Sequence, residues 1–198
     1  NMMATVANEG YYYTPHIIKK IKGDKIDPKF QEKHVTTIDK KYFKPMISGL
    51  FDVYNYGTAS SLRVEGIDIC GKTGTAENFA KIGGKRVQLK DHSIFVAFAP
   101  KDNPKIAIAI MVENGGFGAT IAGPIASLMI EKYLRKKITR TDLEKRVLGI
   151  SLRDQYAKLG GMNEANAIES TPKDSLPKYN ETKEVKTKLV VDTTKKTI

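Results

Sequence analysis

The spacing of apolar positions changes along the chain, and the changes mark out its elements. Over residues 39–55, Phe43, Met46, Ile47, Leu50, Phe51 and Tyr54 recur at intervals of mostly three and four, which predicts a helix with one buried face. Asp39 can cap it, and Pro45 fits only in a first turn, so the helix proper starts near Tyr42 or Lys44. Residues 1–10 read as the last turns of an amphipathic helix closed by Gly10. That helix has no start of its own, so the expectation is a chain cut from a longer one. In between, residues 11–15 predict a proline-marked turn and residues 16–21 a short β-branched strand. Residues 31–37 are a second stretch able to pair with that strand as a hairpin. Three consecutive tyrosines, Tyr11 to Tyr13, read either as a stacking platform for a sugar or base or as packing under a loop.

The second half turns to strand-like runs. Ile67-Asp68-Ile69-Cys70 is a short apolar strand that feeds the small-residue stretch beginning at Gly71. Residues 93–99 and 105–113 are apolar on both alternations, with Ile94, Val96 and Phe98 on one face and Phe95, Ala97 and Ala99 on the other. Such strands are expected to be covered on both sides. The short turn at 100–104 pairs them antiparallel, next to the strand of Lys72. Residues 79–91 form a polar, glycine-containing connection with the character of a mobile hairpin tip. After the break at 115–118, a helix is predicted over 121–137. Ile121, Ile125, Leu128, Met129 and Tyr133 lie on its apolar flank, Pro124 in its first turn and Arg135-Lys136-Lys137 at its C-terminal end. Thr141-Asp142-Leu143-Glu144 has the pattern of a capping box and starts a short helix to about 148, resumed over 151–159 and stopped at Gly160-Gly161. From Met162 onward the sequence is polar and without period, which predicts disorder. The fold class is therefore α+β: an antiparallel β-sheet of at least three strands flanked by helices. The 39–55 helix covers one side, and the 121–137 helix the other side or an edge.

Gly71-Lys72-Thr73-Gly74-Thr75-Ala76-Glu77-Asn78 gathers small and hydroxyl side chains around one ammonium. In a strand, Lys72 and Gly74 share one face while Thr73 and Thr75 share the other. A strand weakened by glycine usually admits a ligand or another backbone. Lys72 brings positive charge, the threonines bring hydroxyls, and an unpaired strand edge brings main-chain N–H groups. Together they predict a cradle for a carboxylate or oxyanion. Glu77 and Asn78 border it, either as tuning groups or as a solvated strand end.

Lys-Thr-Gly is also the third motif of penicillin-binding proteins and class A β-lactamases. With the runs His92-Ser93-Ile94-Phe95-Val96-Ala97-Phe98-Ala99-Pro100 and Ile106-Ala107-Ile108-Ala109-Ile110-Met111-Val112 after it, the chain resembles class B penicillin-binding proteins of the penicillin-binding protein 2-like kind. The part resembled is the C-terminal part of the transpeptidase domain, and it extends from residue 1 to about 137. The chain then divides into three segments: residues 1–140 within that domain, as the resemblance implies, and, from their own pattern, 141–161 as a short helical extension and 162–198 as a disordered polar tail. It also implies acyl transfer, in which a serine attacks the D-Ala-D-Ala amide of a peptidoglycan stem peptide and β-lactams trap the same serine. Lys72 would then supply positive field to the serine and the substrate carboxylate, and the Thr73 and Thr75 hydroxyls would bind that carboxylate. The Thr75 N–H would form half of an oxyanion hole, and Gly74 would keep the strand clear of the nucleophile's helix. The implied partners are the remainder of the transpeptidase domain and membrane proteins of the cell-elongation complex, at the periplasmic face of the inner membrane. No cofactor is implied.

No Ser-x-x-Lys or Ser-x-Asn precedes Lys72. Ser170-Thr171-Pro172-Lys173 and Ser175-Leu176-Pro177-Lys178 have the spacing, but each carries a proline where a helix is needed and follows Lys72. The expectation is thus one wall of an active site, with no acylation of this chain alone. A different class of reading is a penicillin-recognising sensor or a non-catalytic envelope-binding scaffold. Several membrane helices ahead of residue 1 would favour the sensor, and a pedestal with an anchor the synthase.

Composition changes this picture little. The 198 residues, 40% of them hydrophobic, suffice for one core. A net charge of +11 invites a nucleic-acid reading, but the lysines are scattered and no RNA or DNA motif accompanies them, so no nucleic-acid partner is expected. The charge alone reads as a solvated basic surface; a partner surface of anionic envelope polymer or lipid is what the resemblance implies. Cys70 is the sole cysteine and reads as core. His16, His34 and His92 lack ligand-like spacing, so no metal site is expected, and His92 reads as a strand-end hydrogen-bonding residue.

Overall fold

The computed structural model describes residues 1–18, 23 and 25–157. In chain order the elements are α1 (Met2–Ala7), β1 (Tyr11–Tyr13), β2 (Lys33–Val35), α2 (Phe43–Asn55), β3 (Cys70–Ala76), β4 (Phe79–Ile82) and β5 (Lys85–Gln88). They continue with β6 (His92–Ala99), β7 (Ile106–Val112), α3 (Ala122–Arg135), α4 (Thr141–Leu148) and α5 (Arg153–Ala157). Short 3-10 turns occur at Pro28–Phe30, Lys40–Tyr42 and Ser60–Leu62. The predicted continuation of the last helix past 157, its stop at Gly160-Gly161, the polar tail and both late serine motifs lie outside the described residues.

β3, β6 and β7 form the antiparallel sheet that the sequence predicts, and the structure places β6 in the middle. Its register sets Lys72 opposite Val96, Thr73 opposite Phe95, Gly74 opposite Ile94 and Thr75 opposite Ser93. β6 is the hydrophobic spine. Phe95, Ala97 and Ala99 face a buried cluster that includes Ala122, Ala126 and Ile130 of α3, Tyr54, Leu62 and Ile69. Phe98 and Cys70 face a second cluster with Met3 and Val6 of α1, against which Ile47, Leu50 and Phe51 of α2 pack. α3 thus covers one face and α1 with α2 the other. α2 supplies residues to both clusters and packs on β3.

α1 ends in a Schellman-type arrangement. The Gly10 N–H donates to Thr5 (2.9 Å) and the Glu9 N–H to Val6 (3.0 Å), while Glu9 itself takes the left-handed conformation at φ 55°. At α2, Asp39 caps the 3-10 turn that leads into the helix, accepting from the Lys41 N–H at 3.0 Å.

Several expectations are corrected. The N-terminal strand is Tyr11–Tyr13, not 16–21: β1 pairs with β2, Tyr11 opposite Val35 and Tyr13 opposite Lys33. Pro15, which has no N–H to give a ladder, follows the tyrosines and marks the strand's end instead of its beginning. Of the predicted strand, residues 16–18 are irregular and 19–21 lie outside the described residues. Tyr12 stacks on His34 with centroids 5.0 Å apart, so it packs within its own hairpin. β3 starts at Cys70, because Ile67 is drawn into a tight bridge with Val64. β7 is covered on one face only: Ala107, Ala109 and Met111 are exposed. On α3, Ile121 and Leu128 of the predicted flank are buried, and Ala122, Ala126 and Ile130 are buried beside them, while Met129 and Tyr133 are about half exposed. Small side chains win that face because they let the helix sit close on the sheet. The capping box does not form. Thr141 lies inside α4, and Arg140 takes the N-cap position without a side-chain cap.

Arg140 is instead spent on a buried carboxylate. Glu131, fully buried on α3, receives Arg140 Nε at 3.0 Å and the Thr139 N–H at 3.0 Å, with a further bond from the Thr139 hydroxyl. The same guanidinium donates to the Leu62 carbonyl (3.2 Å) and to Ser127 Oγ (3.2 Å), and the Tyr54 hydroxyl also donates to that carbonyl. Burial alone would raise the Glu131 carboxyl, but the Thr139 and Arg140 bonds outweigh it and hold it below its ordinary value. This knot ties α3 to the 3-10 turn upstream of β3.

Candidate active site

β3 is an edge strand. Among the described residues it pairs with β6 alone, so its other border keeps alternate N–H and C=O groups free. Lys72 is exposed on it, and its Nζ donates to the Thr73 carbonyl at 2.9 Å. Among the described residues no carboxylate pairs with Lys72 within 4.0 Å. Among the described residues the ammonium therefore has no counter-charge.

The hydroxyls divide into two kinds. Thr75 is exposed, opposite the buried Ser93. Thr73 is half-buried, and its Oγ1 lies 3.0 Å from Oγ1 of Thr58 in the loop after α2. Nothing in the sequence pattern singles out Thr58. A contact spanning fifteen residues leaves no periodic trace.

Two glycines on this strand serve different needs. A Cβ on Gly71 would meet Phe95 Cζ at 2.8 Å, so Gly71 makes room for the core. At Gly74 a Cβ would meet Ile94 Cβ at 3.3 Å, a side chain of β6; the backbone approach is made by Gly118, whose own Cβ would lie 2.6 Å from the Gly74 oxygen. Of the two approaches expected at this strand, a ligand or another backbone, the 115–118 loop supplies a backbone, and it is Gly118 whose lack of a side chain allows the contact.

That loop is fixed from below by Ser93. Its hydroxyl donates to the Phe117 carbonyl (2.9 Å) and accepts from the first N–H of α3, at Ala122 (3.1 Å). A strand residue thus caps a helix that has no cap of its own. Beyond the Ala76 end of β3, a cleft of about 400 Å³ is lined by residues 88–91, Gly115 to Phe117 and Thr120. Asp91 Oδ1 in it is buried without a partner among the described residues.

Asn78 is partly buried. Its amide donates to Asn114 Oδ1 at 2.6 Å and its carbonyl accepts from the Leu89 N–H at 2.9 Å, closing the base of the β4–β5 hairpin. Gly83 and Gly84 turn that hairpin with φ of 57° and 79°, as a two-residue I′ turn requires. His92 Nδ1 accepts from the Asn114 N–H at 3.2 Å, the strand-end role the sequence suggests. His34 bonds Thr14 Oγ1 and His16 bonds the Thr14 carbonyl, both far along the chain from Lys72. Cys70 is fully buried, and burial pushes its thiol up to about 12.

Residues 1–131 match the family model of the penicillin binding protein transpeptidase domain. A peptidoglycan D,D-transpeptidase MrdA of Acinetobacter baumannii is 34% identical over 150 residues, covering 68% of this chain and 22% of that relative. The chain therefore spans less than a quarter of the length of that relative. Among solved structures, Pseudomonas aeruginosa PBP2 in complex with WCK 5153 is similar at 30% identity and a TM-score of 0.53, over 71% of this chain and 30% of that one. The imipenem acyl-enzyme complex of penicillin-binding protein A from M. tuberculosis is similar at 27% identity and a TM-score of 0.54, over 67% and 29%.

Proposed function

The chain belongs to the penicillin-binding protein transpeptidase family, and from that premise we propose that it is the C-terminal part of a peptidoglycan D,D-transpeptidase, contributing one wall of the active site. The observation that carries this reading is the free border of β3, where the Lys72 ammonium reaches the Thr73 carbonyl with no carboxylate partner among the described residues, and where Thr73 and Thr75 carry hydroxyls on the strand's other face.

The chemistry is acyl transfer through a serine that lies in polypeptide outside this chain. Its oxygen attacks the carbonyl of the penultimate D-alanine, the C–N bond breaks, and D-alanine leaves with the serine's proton. An amine of a neighbouring stem peptide then takes the acyl group and frees the serine. Lys72 favours the serine oxygen as it loses its proton and attracts the substrate's terminal carboxylate. The Thr73 and Thr75 hydroxyls bind that carboxylate. Thr73 accepts the Lys72 bond through its carbonyl, which argues that this carbonyl faces the free border. Alternation by two then turns the Thr75 N–H the same way, where it serves as half of an oxyanion hole. The imipenem acyl-enzyme of the similar penicillin-binding protein A supports β-lactams as trapping ligands of the parent protein.

The opposite border supports a larger parent domain. β7 is the other edge of the sheet, and its exposed Ala107, Ala109 and Met111 form an apolar face suited to further polypeptide. Residues 1–140 are the transpeptidase portion in this reading. The parent works outside the cytoplasmic membrane, beside the membrane proteins of cell elongation. Among the described residues no helix is long and apolar enough to cross a membrane. Acylation of the full-length protein by a fluorescent penicillin, with and without Lys72, is the test.

A further inference from the structure

We propose that Thr58 is a positioning residue for carboxylate recognition, setting the Thr73 hydroxyl so that its proton points at the substrate. The inference rests on the transpeptidase reading and adds a residue to the carboxylate site.

The two hydroxyl oxygens are 3.0 Å apart and either can donate. In one arrangement Thr73 gives its proton to Thr58 and has none left for a ligand. In the other Thr58 donates to Thr73, and the Thr73 proton is free for an anion. A carboxylate accepts and cannot donate, so its arrival selects the second arrangement. The resulting chain, Thr58 to Thr73 to carboxylate, has each bond polarising the next. A threonine without the second hydroxyl would bind the anion with a freely rotating proton instead.

The loop that offers Thr58 is tightly held. The Gly57 N–H donates to the Asp52 carbonyl at 3.2 Å and to that of Val53 at 3.1 Å, and the Ala59 N–H donates to Val53 at 3.4 Å. A Cβ on Gly57 would lie 2.8 Å from the Val53 oxygen, so only glycine allows this approach to the end of α2. Ala59 is fully buried in the Phe95 cluster. Both neighbours of Thr58 are thus pinned, one to a helix end and the other in the core, while its hydroxyl is directed at β3. A side chain needed only to fill space would not require its hydroxyl to meet another.

The test uses the full-length protein and two probes, a penicillin with its free carboxylate and the same penicillin as its methyl ester. The ratio of their second-order acylation rates is read, since a ratio does not depend on the fraction folded. Thr58→Val is expected to lower the rate for the carboxylate probe roughly fivefold and to leave the ester rate nearly unchanged. Thr58→Ser, which keeps the hydroxyl, restores the ratio. An unchanged ratio in Thr58→Val, or failure of serine to restore it, would overturn the proposal. If the wild-type protein is acylated by neither probe, the transpeptidase reading fails, a result distinct from the failure of the Thr58 role.

Discussion

Gly118 lies against the backbone of Gly74. A Cβ added to Gly118 would stand 2.6 Å from the Gly74 carbonyl oxygen and 3.0 Å from its nitrogen, and would also strike the Ile94 carbonyl. None of these is a flexible side-chain end that could move aside. Gly118→Ala must therefore lift the 115–118 loop off the sheet, at a cost of about 1–3 kcal/mol or more. Gly49→Ala on the exposed side of α2, where a Cβ meets nothing within 4 Å, should instead stabilise by roughly 0.5–1 kcal/mol. Denaturant unfolding of the two variants reads both signs, and a neutral Gly118→Ala would contradict the close approach.

The Glu131 knot makes a prediction about acid. Its carboxyl is held below its ordinary value in the folded state, so its contribution is complete above the unfolded value of about 4.3 and is lost as pH falls through the lower, folded one. Stability should fall as pH drops below about 4.3. Glu131→Gln should remove this component of the pH dependence. It should also cost roughly 3 kcal/mol at neutral pH, because Arg140 keeps its charge and loses its partner. Unfolding midpoints measured between pH 7 and pH 3 test both statements.

Cys70 should resist alkylation in the folded protein. Burial raises its thiol to about 12, Lys101 opposing the shift and Asp68 and Asp102 adding to it, so almost no thiolate exists at pH 8. Iodoacetamide should modify native protein at least roughly a thousandfold more slowly than unfolded protein. The raised value also means that this thiol's contribution to stability is full below the unfolded pKa of about 8.5 and declines as pH rises toward the folded one. Fast alkylation of native protein would show that Cys70 is not core.

What the sequence made legible follows from how far each signal reaches. β6 and β7 announce themselves as apolar runs joined by a short turn, β3 as a short apolar run feeding a small-residue stretch, and α2 through its three-and-four spacing, because those patterns lie within one element or between neighbours. The Lys72 to Thr75 stretch was readable for the same reason. α3 was harder, since it is apolar on more than one side. Met129 and Tyr133 look as suitable for a core as Ala126 and Ile130, and close packing on the sheet made the choice. Thr58, Ser93 and Gly118 were not legible as site-building residues. Each acts through a partner far along the chain, respectively Thr73, Phe117 with Ala122, and Gly74. The N-terminal strand was misplaced because β-branching in residues 16–21 outweighed the tyrosine run beside Pro15.

The measurement closest to the central claim is covalent labelling by a fluorescent penicillin of three samples: this chain alone, the full-length protein, and the full-length protein with Lys72→Ala. The expected result is no label on the chain, a label on the intact protein, and a loss of about a hundredfold or more in acylation rate without Lys72. Labelling of the isolated chain, or a Lys72→Ala protein acylated at the wild-type rate, would contradict the claim that the β3 border serves a serine supplied from elsewhere.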